Sequence, residues 1–277
     1  MKLAISNIAW PPSDRIQAYQ LMQNHDVCGL EIAPGLFLDG QGGADTITDA
    51  ALKDAVGETT DFGLELVSMQ SLLFGVQGAA LFGDDNQVAR FKQAIGNALR
   101  LAGRLGIPNC VMGSPGARVI PDGMPHDEAN DRAAAVFRIL GDVALANATR
   151  LALEPNPARY GTNFMTHTAQ THAMVKQTAH PAITLNFDIG ALHANDEFGA
   201  LESQLAMMLP EISHIHVSEC DLSAAPRDAA VAEAIATVLS RSAYQEWISI
   251  EMRAVAGDEL FAVDTALGLL THAFGKR

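Results

Sequence analysis

The chain has 277 residues, 48% of them apolar and 18% charged, which permits a large buried core and excludes global disorder. Lys and Arg total 18 against 32 Asp and Glu, a net charge of −14. That average field repels a polyanion, and no cluster of Lys and Arg offsets it, so the sequence argues against nucleic-acid binding. Three cysteines, Cys28, Cys110 and Cys220, are too few and too scattered for a disulfide framework or a thiolate zinc site.

The N-terminal apolar run is broken by Asn7 and by Pro11-Pro12, so it does not read as a secretory signal. The longest uncharged stretch, Leu66 to Gly83, carries Gln70, Ser71, Gly75, Gln77 and Gly78. It reads as a buried strand running into a loop rather than a membrane span. A cytoplasmic protein with no membrane partner is expected.

Along the chain, short β-like runs alternate with longer helical patterns. The strand candidates end near Ser6, Pro34, Gln70, Ser114, Glu154, Asp188, Ser218 and Glu251, at intervals of 28 to 44 residues. A βα unit needs roughly 30 residues, so each interval holds one strand, one helix and their loops. Between them, Val88, Phe91, Ile95, Ala98, Ala102 and Leu105 repeat at helical spacing, as do Val231, Ile235, Val238 and Leu239. Runs such as Ile183 to Leu185 and Trp247 to Ile250 suit a parallel sheet covered by helices. An open doubly wound sheet is the rival. No Gly-x-Gly-x-x-Gly follows a strand, because Gly40-Gln41-Gly42 meets Asp45 where the third glycine belongs. Eight strands, each followed by a helix, predict an α/β fold, a single (β/α)8 TIM barrel over 1–277 with its active site at the C-terminal strand ends.

Four polar residues end the last four strands: Glu154, Asp188, His216 and Glu251. Their separations of 34, 28 and 35 residues are each one βα unit, which brings them together at the barrel mouth. Singly, each reads as a helix cap or a surface group. Together, three carboxylates without a cation would repel one another. Three carboxylates and one imidazole form a hard ligand set for one divalent metal, Mn²⁺ first, with Mg²⁺, Co²⁺ or Zn²⁺ as alternatives. Zinc usually has more His or Cys. Strand alternation puts His214 and His216 on one face; His216, nearer the mouth, is the ligand, and His214 a core residue or a partner of the ligands.

These residues carry a resemblance. Leu153-Glu-Pro-Asn156, His214-Ile-His-Val-Ser218 and Ser249-Ile-Glu-Met-Arg253 look like signatures of the xylose isomerase-like barrels, in particular the sugar phosphate isomerase/epimerase family. So do Val111-Met-Gly-Ser-Pro115 with Arg118, and Ser6-Asn-Ile-Ala-Trp10. The resemblance implies a metal-dependent isomerase or epimerase acting on a sugar or sugar phosphate, by proton transfer through a metal-bound enediolate. Glu154 and Glu251, flanking the metal, would serve as base and acid.

The chain departs from the ketose 3-epimerases of that family at three positions. Tyr160 stands where a further Glu is usual, Leu222 where an Arg is, and Ala191 where a His is. Ketose 3-epimerase specificity is therefore not carried over. Endonuclease IV, another relative, uses a three-metal cluster with histidines on early strands; here those strands end at Gln70 and at Gly113-Ser114.

Trp10, Gln70, Arg118, His193 and Arg253 are candidate substrate contacts, each with a plainer alternative in packing, loop capping or an internal ion pair. Glu31, on the inward side of the second strand, either lines the pocket or pairs with a buried Arg. His167 and His172 read as surface residues, and nothing beside Cys220 marks a nucleophile. Two other functions stay open: a metal-dependent lyase dehydrating an inosose-like substrate, and a non-catalytic sugar-binding barrel. Homo-oligomer formation is left open as well.

Overall fold

A computed structural model describes residues 1–38 and 47–275. The Gly40-Gln41-Gly42 stretch lies outside the described residues. Eight strands close a parallel barrel in chain order: β1 (Lys2–Ser6), β2 (Gly29–Ile32), β3 (Glu65–Met69), β4 (Asn109–Met112), β5 (Arg150–Leu153), β6 (Ile183–Asp188), β7 (Ile212–Ser218) and β8 (Trp247–Glu251). The ring shuts where β1 pairs with β8, with Ile5 opposite Ile250. Every expected strand end falls within two residues of an observed one; Pro34 and Ser114, each two residues beyond, sit in the following turns.

The helices cover the barrel as their apolar spacing requires. The helix Asp85–Leu105 starts in a capping box: Gln87 N–H donates to Asp84 Oδ1 (2.9 Å) and Asp84 N–H to Gln87 Oε1 (3.0 Å). It buries Phe91, Ile95, Ala98, Ala102 and Leu105 and stops at Gly106, whose φ of 70° only glycine adopts freely. The helix Ala229–Arg241 buries Val231, Ile235 and Leu239 in the same way. Among the described residues, no helix is long and apolar enough to cross a membrane. The uncharged 66–83 stretch is β3 and the loop after it.

The barrel interior is layered. At the bottom, Ala4, Val67 and Trp247 pack together. Above them, Asn109 Nδ2 donates to Ser68 Oγ (3.1 Å) and Ser213 Oγ donates to Asn109 Oδ1 (2.8 Å). Thr184 Oγ1 joins Ser213 Oγ at 2.7 Å. This chain of side chains crosses the interior between β3, β4, β6 and β7.

Two bulges make it possible. The β2–β3 register passes from Leu30↔Leu66 to Glu31↔Ser68, leaving Val67 extra. The β6–β7 register passes from Leu185↔Ile212 to Asn186↔His214, leaving Ser213 extra. Val67 and Ser213 thus turn inward beside neighbours that already face inward.

Gly29 shows how tight the bottom layer is. A Cβ there would lie 2.6 Å from Trp247 Cζ3 and 2.7 Å from Ala4 Cβ. Gly29→Ala should therefore cost about 1–3 kcal/mol by overpacking. Urea titration should show a lower midpoint with an unchanged slope.

Candidate metal centre

Glu154, Asp188, His216 and Glu251 come together at the C-terminal end of the barrel, with one potential ligand atom from each within 4.8 Å of all the others. They are 7%, 8%, 0% and 6% exposed. Three buried carboxylates this close are costly without a counter-charge. Burial, then Glu154 and Glu251, push the Asp188 carboxyl up to about 7. Burial raises Glu251 as well, with His216 pulling the other way.

The His216 ring is held from behind. Its Nε2 lies 3.0 Å from Glu31 Oε2, and the Nε2 of His214 lies 3.3 Å from the same oxygen. His214 Nε2 also reaches Ser249 Oγ at 2.8 Å. Gln70 Nε2 donates to the other Glu31 oxygen (3.0 Å) and to Ser6 Oγ (2.7 Å). Glu31 is fully buried. Burial opposes its charge, but the two imidazoles beside it hold the carboxyl far below the usual carboxylate range. An ionised Glu31 favours the tautomer of His216 that carries its proton on Nε2.

That leaves His216 Nδ1 facing Glu154 Oε1 (2.9 Å) and Glu251 Oε2 (3.2 Å). Although these contacts are close, Nδ1 has no hydrogen-bond partner of acceptable angle. A buried, orphaned lone pair beside three carboxylates is what a cation-binding site requires. The donor set therefore fits one divalent metal. Burial disfavours the charged imidazole, but Glu31 and Glu251 raise its proton affinity well above the ordinary value.

The carboxylates are fixed by short contacts. Asn186 Nδ2 donates to Glu154 Oε1 (2.7 Å) and Asn156 Nδ2 to Glu154 Oε2 (3.2 Å). Gly113 leaves room for Glu154, since a Cβ there would lie 2.6 Å from its Oε2. Asp188 Oδ1 accepts from the Ser218 hydroxyl and from Ala191 N–H (3.1 Å). Sequence reasoning did not assign roles to Asn156, Asn186, Ser218 or Gly113. Strand alternation, which groups Asn186 with Asp188, was the available signal for one of them.

A cavity of about 690 Å³ opens above the four residues. Gln70 and Arg253 line it, as do Tyr160, Ala191 and Leu222, the three positions that depart from the ketose 3-epimerases. Glu219 lines it too, 6% exposed, with its carboxyl raised by burial. Tyr160 Oη accepts from Asp221 N–H (2.8 Å), and Arg159 pairs with the Asp221 carboxylate (2.9 Å), joining the loops after β5 and β7.

Three expected substrate contacts are not brought to the cavity. Trp10, 2% exposed, stands edge-on to Tyr19 with centroids 6.4 Å apart, in the core. Arg118 is fully buried and donates through Nη2 to the Glu154 carbonyl (2.9 Å) and Asn156 Oδ1 (2.6 Å), so it braces the end of β5. His193 stacks on Phe198 at 4.2 Å, and burial, with Arg227 nearby, lowers its imidazole to about 4. Glu31 pairs with two imidazoles, not with an Arg, and does not line the cavity. Away from the site, His167 meets Glu197 at 3.0 Å and His172 meets Glu211 at 3.2 Å.

A family model for the xylose isomerase-like TIM barrel matches residues 25–271, and the chain belongs to that family. Comparison with curated proteins finds no match. Among solved structures, a 3-keto-D-glucoside 4-epimerase from E. coli superposes with TM-score 0.78 at 18% identity, covering 98% of this chain and 99% of that one. D-Psicose 3-epimerase from Clostridium cellulolyticum H10, solved with D-tagatose, gives 0.72 at 16% identity, covering 100% and 98%. An AP endonuclease of family 2 from Brucella melitensis gives 0.69 at 16% identity, covering 96% and 97%. At these identities the likeness is one of fold.

Glu31→Gln removes the charge that fixes His216 while keeping the shape. Divalent-metal affinity measured by competitive titration should fall about 10–100-fold. Metal binding should also release protons, because the Asp188 carboxyl at about 7 is protonated below that pH and must be bare to serve as a ligand. Calorimetry in buffers of differing ionisation enthalpy should show more protons released at pH 6 than at pH 8.

Proposed function

We propose that the protein is a divalent-metal-dependent isomerase or epimerase of a sugar or sugar phosphate, which removes and returns a proton at the carbon beside a carbonyl. The observation that carries this reading is the orphaned His216 Nδ1 among three buried carboxylates at the floor of a cavity. The hard donor set suits Mn²⁺, Mg²⁺ or Co²⁺ better than Zn²⁺. The sugar epimerases among the structural neighbours support the substrate class.

A metal held by Glu154, Asp188, His216 and Glu251 supplies Lewis-acid polarisation of substrate carbonyl and hydroxyl oxygens. The protein's own residues move the proton. Glu154 accepts from two amides, whereas Glu251 meets only the His216 ring among the described residues. With fewer donors holding its charge, Glu251 is the stronger base and takes the proton. Glu154, whose Oε1 also faces His216 Nδ1 (2.9 Å), returns it. Gln70, Asn156 and Glu219 in the cavity wall orient the hydroxyls.

Turnover in D₂O tests this directly. Deuterium should enter the carbon adjacent to the carbonyl, in product or recovered substrate, and Glu251→Gln should lower turnover about 10²–10⁴-fold. Product free of deuterium after many turnovers would replace proton transfer with a hydride shift. Loss of water from the substrate would make the protein a lyase.

A further inference from the structure

We infer that the cavity takes an uncharged sugar carrying a second unit beyond the reacting ring, a glycoside or a disaccharide, whose second unit lies against an apolar rim formed by Leu73, Phe74 and Val76. The inference rests on the sugar chemistry proposed above and names its substrate class.

Size is the first argument. At about 690 Å³ the cavity falls in the range of roughly 300–1,000 Å³ that encloses drug-sized ligands. One monosaccharide ring engaged by the ligand cluster leaves much of that space unfilled.

The second argument is the division of the wall. Polar side chains gather at the floor, around Glu154, Asp188 and Glu251. The side formed by the loop after β3 is apolar, with Leu73, Phe74, Val76 and Ala79.

Phe74 is 86% exposed and Val76 39%, though both line the cavity. A built turn presents them. Leu72 and Leu73, 7% and 9% exposed, anchor the loop in the core. Phe74 N–H donates to Ser71 C=O (2.9 Å) and Val76 N–H to Leu73 C=O (3.1 Å), and Leu81 N–H pins the far end to Ala117 C=O (2.7 Å). An aromatic face held open at the mouth of a polar site matches the flat C–H face of a second pyranose, or an aryl aglycone.

Charge is the third argument. A bound phosphate is best held where several cations and backbone N–H groups converge. Among the described residues, the cavity wall holds one cation, the exposed Arg253, while Glu219 adds a carboxylate to those at the floor.

The test is calorimetric titration of metal-loaded protein with glucose, methyl glucoside, phenyl glucoside, cellobiose and glucose 6-phosphate, together with the corresponding galacto compounds. The phenyl glycoside or the disaccharide should bind at least tenfold tighter than the methyl glycoside; whichever leads identifies the second unit as aglycone or sugar. Glucose 6-phosphate should bind more weakly than glucose. Phe74→Ala should reduce the preference to less than threefold. Phe261→Ala, which removes a ring 72% exposed on the outer helix Glu259–Gly275, should leave it as in the wild type.

Equal binding across the series, tighter binding of the phosphate, or no binding by any member overturns the inference. So does a dimer that dissociates in Phe74→Ala with ligand preference unchanged, which would assign the ring to a subunit contact. Substituent-dependent binding without deuterium exchange would keep this subsite and sink the isomerase reading. Exchange on simple sugars without substituent preference would do the reverse.

Discussion

A single buried carboxylate organises the upper half of the barrel. Glu31 has no access to water, and its charge survives only because two imidazoles and one amide donate to it. Removing any of these partners leaves a carboxylate in a low-dielectric interior, where the desolvation penalty is several kcal/mol. The interaction fixes more than its own stability. It sets which nitrogen of His216 carries the proton, and through that which nitrogen meets Glu154 and Glu251. The ligand cluster is thus oriented from beneath by a group that never reaches the cavity.

Seen along its axis, the barrel changes chemistry in steps. Trp247 and its neighbours close the bottom with apolar packing. The Ser68, Asn109 and Ser213 side chains satisfy one another in the layer above. Next come Glu31 and His214, then Glu154, Asp188, His216 and Glu251, and last the cavity. In the two polar layers below the site, Ser68, Asn109, Ser213, Glu31 and His214 are all hydrogen-bonded, so polarity rises toward the mouth in partnered steps. Rigid strands carry Asp188, His216 and Glu251 and end one residue before Glu154, which holds their spacing.

Much of this was legible in the sequence, for identifiable reasons. Parallel strands buried on both faces leave apolar runs, and the βα repeat spaces them, so the barrel and its strand ends could be read. Alternation within a strand carried His214, His216 and Glu251 to the interior. It does not reach the segments after the strands, where tertiary neighbours decide. Trp10 ends beside a strand, yet Tyr19 claims its ring. Arg118 follows β4, yet the carbonyl of Glu154, just past the end of β5, draws it inward. His193 follows β6, yet Phe198 covers it. Glu31 was correctly turned inward by alternation, but its partners sit on β7, 183 and 185 residues away, and no local pattern announces a pairing at that distance.

The two bulges bear on how this chain could change over time. In most strands, gaining or losing one residue inverts every side chain beyond the change and sends core groups to the wrong face. Val67 and Ser213 are different, because each is an extra inward residue set between neighbours that keep their own alternation. Losing either would subtract one side chain from the interior and leave Leu66 and Ser68, or Ile212 and His214, facing as before. Such positions let an ancestral lineage add or delete a single codon inside a buried strand, altering what fills the barrel without turning His216 away from Glu154 and Glu251.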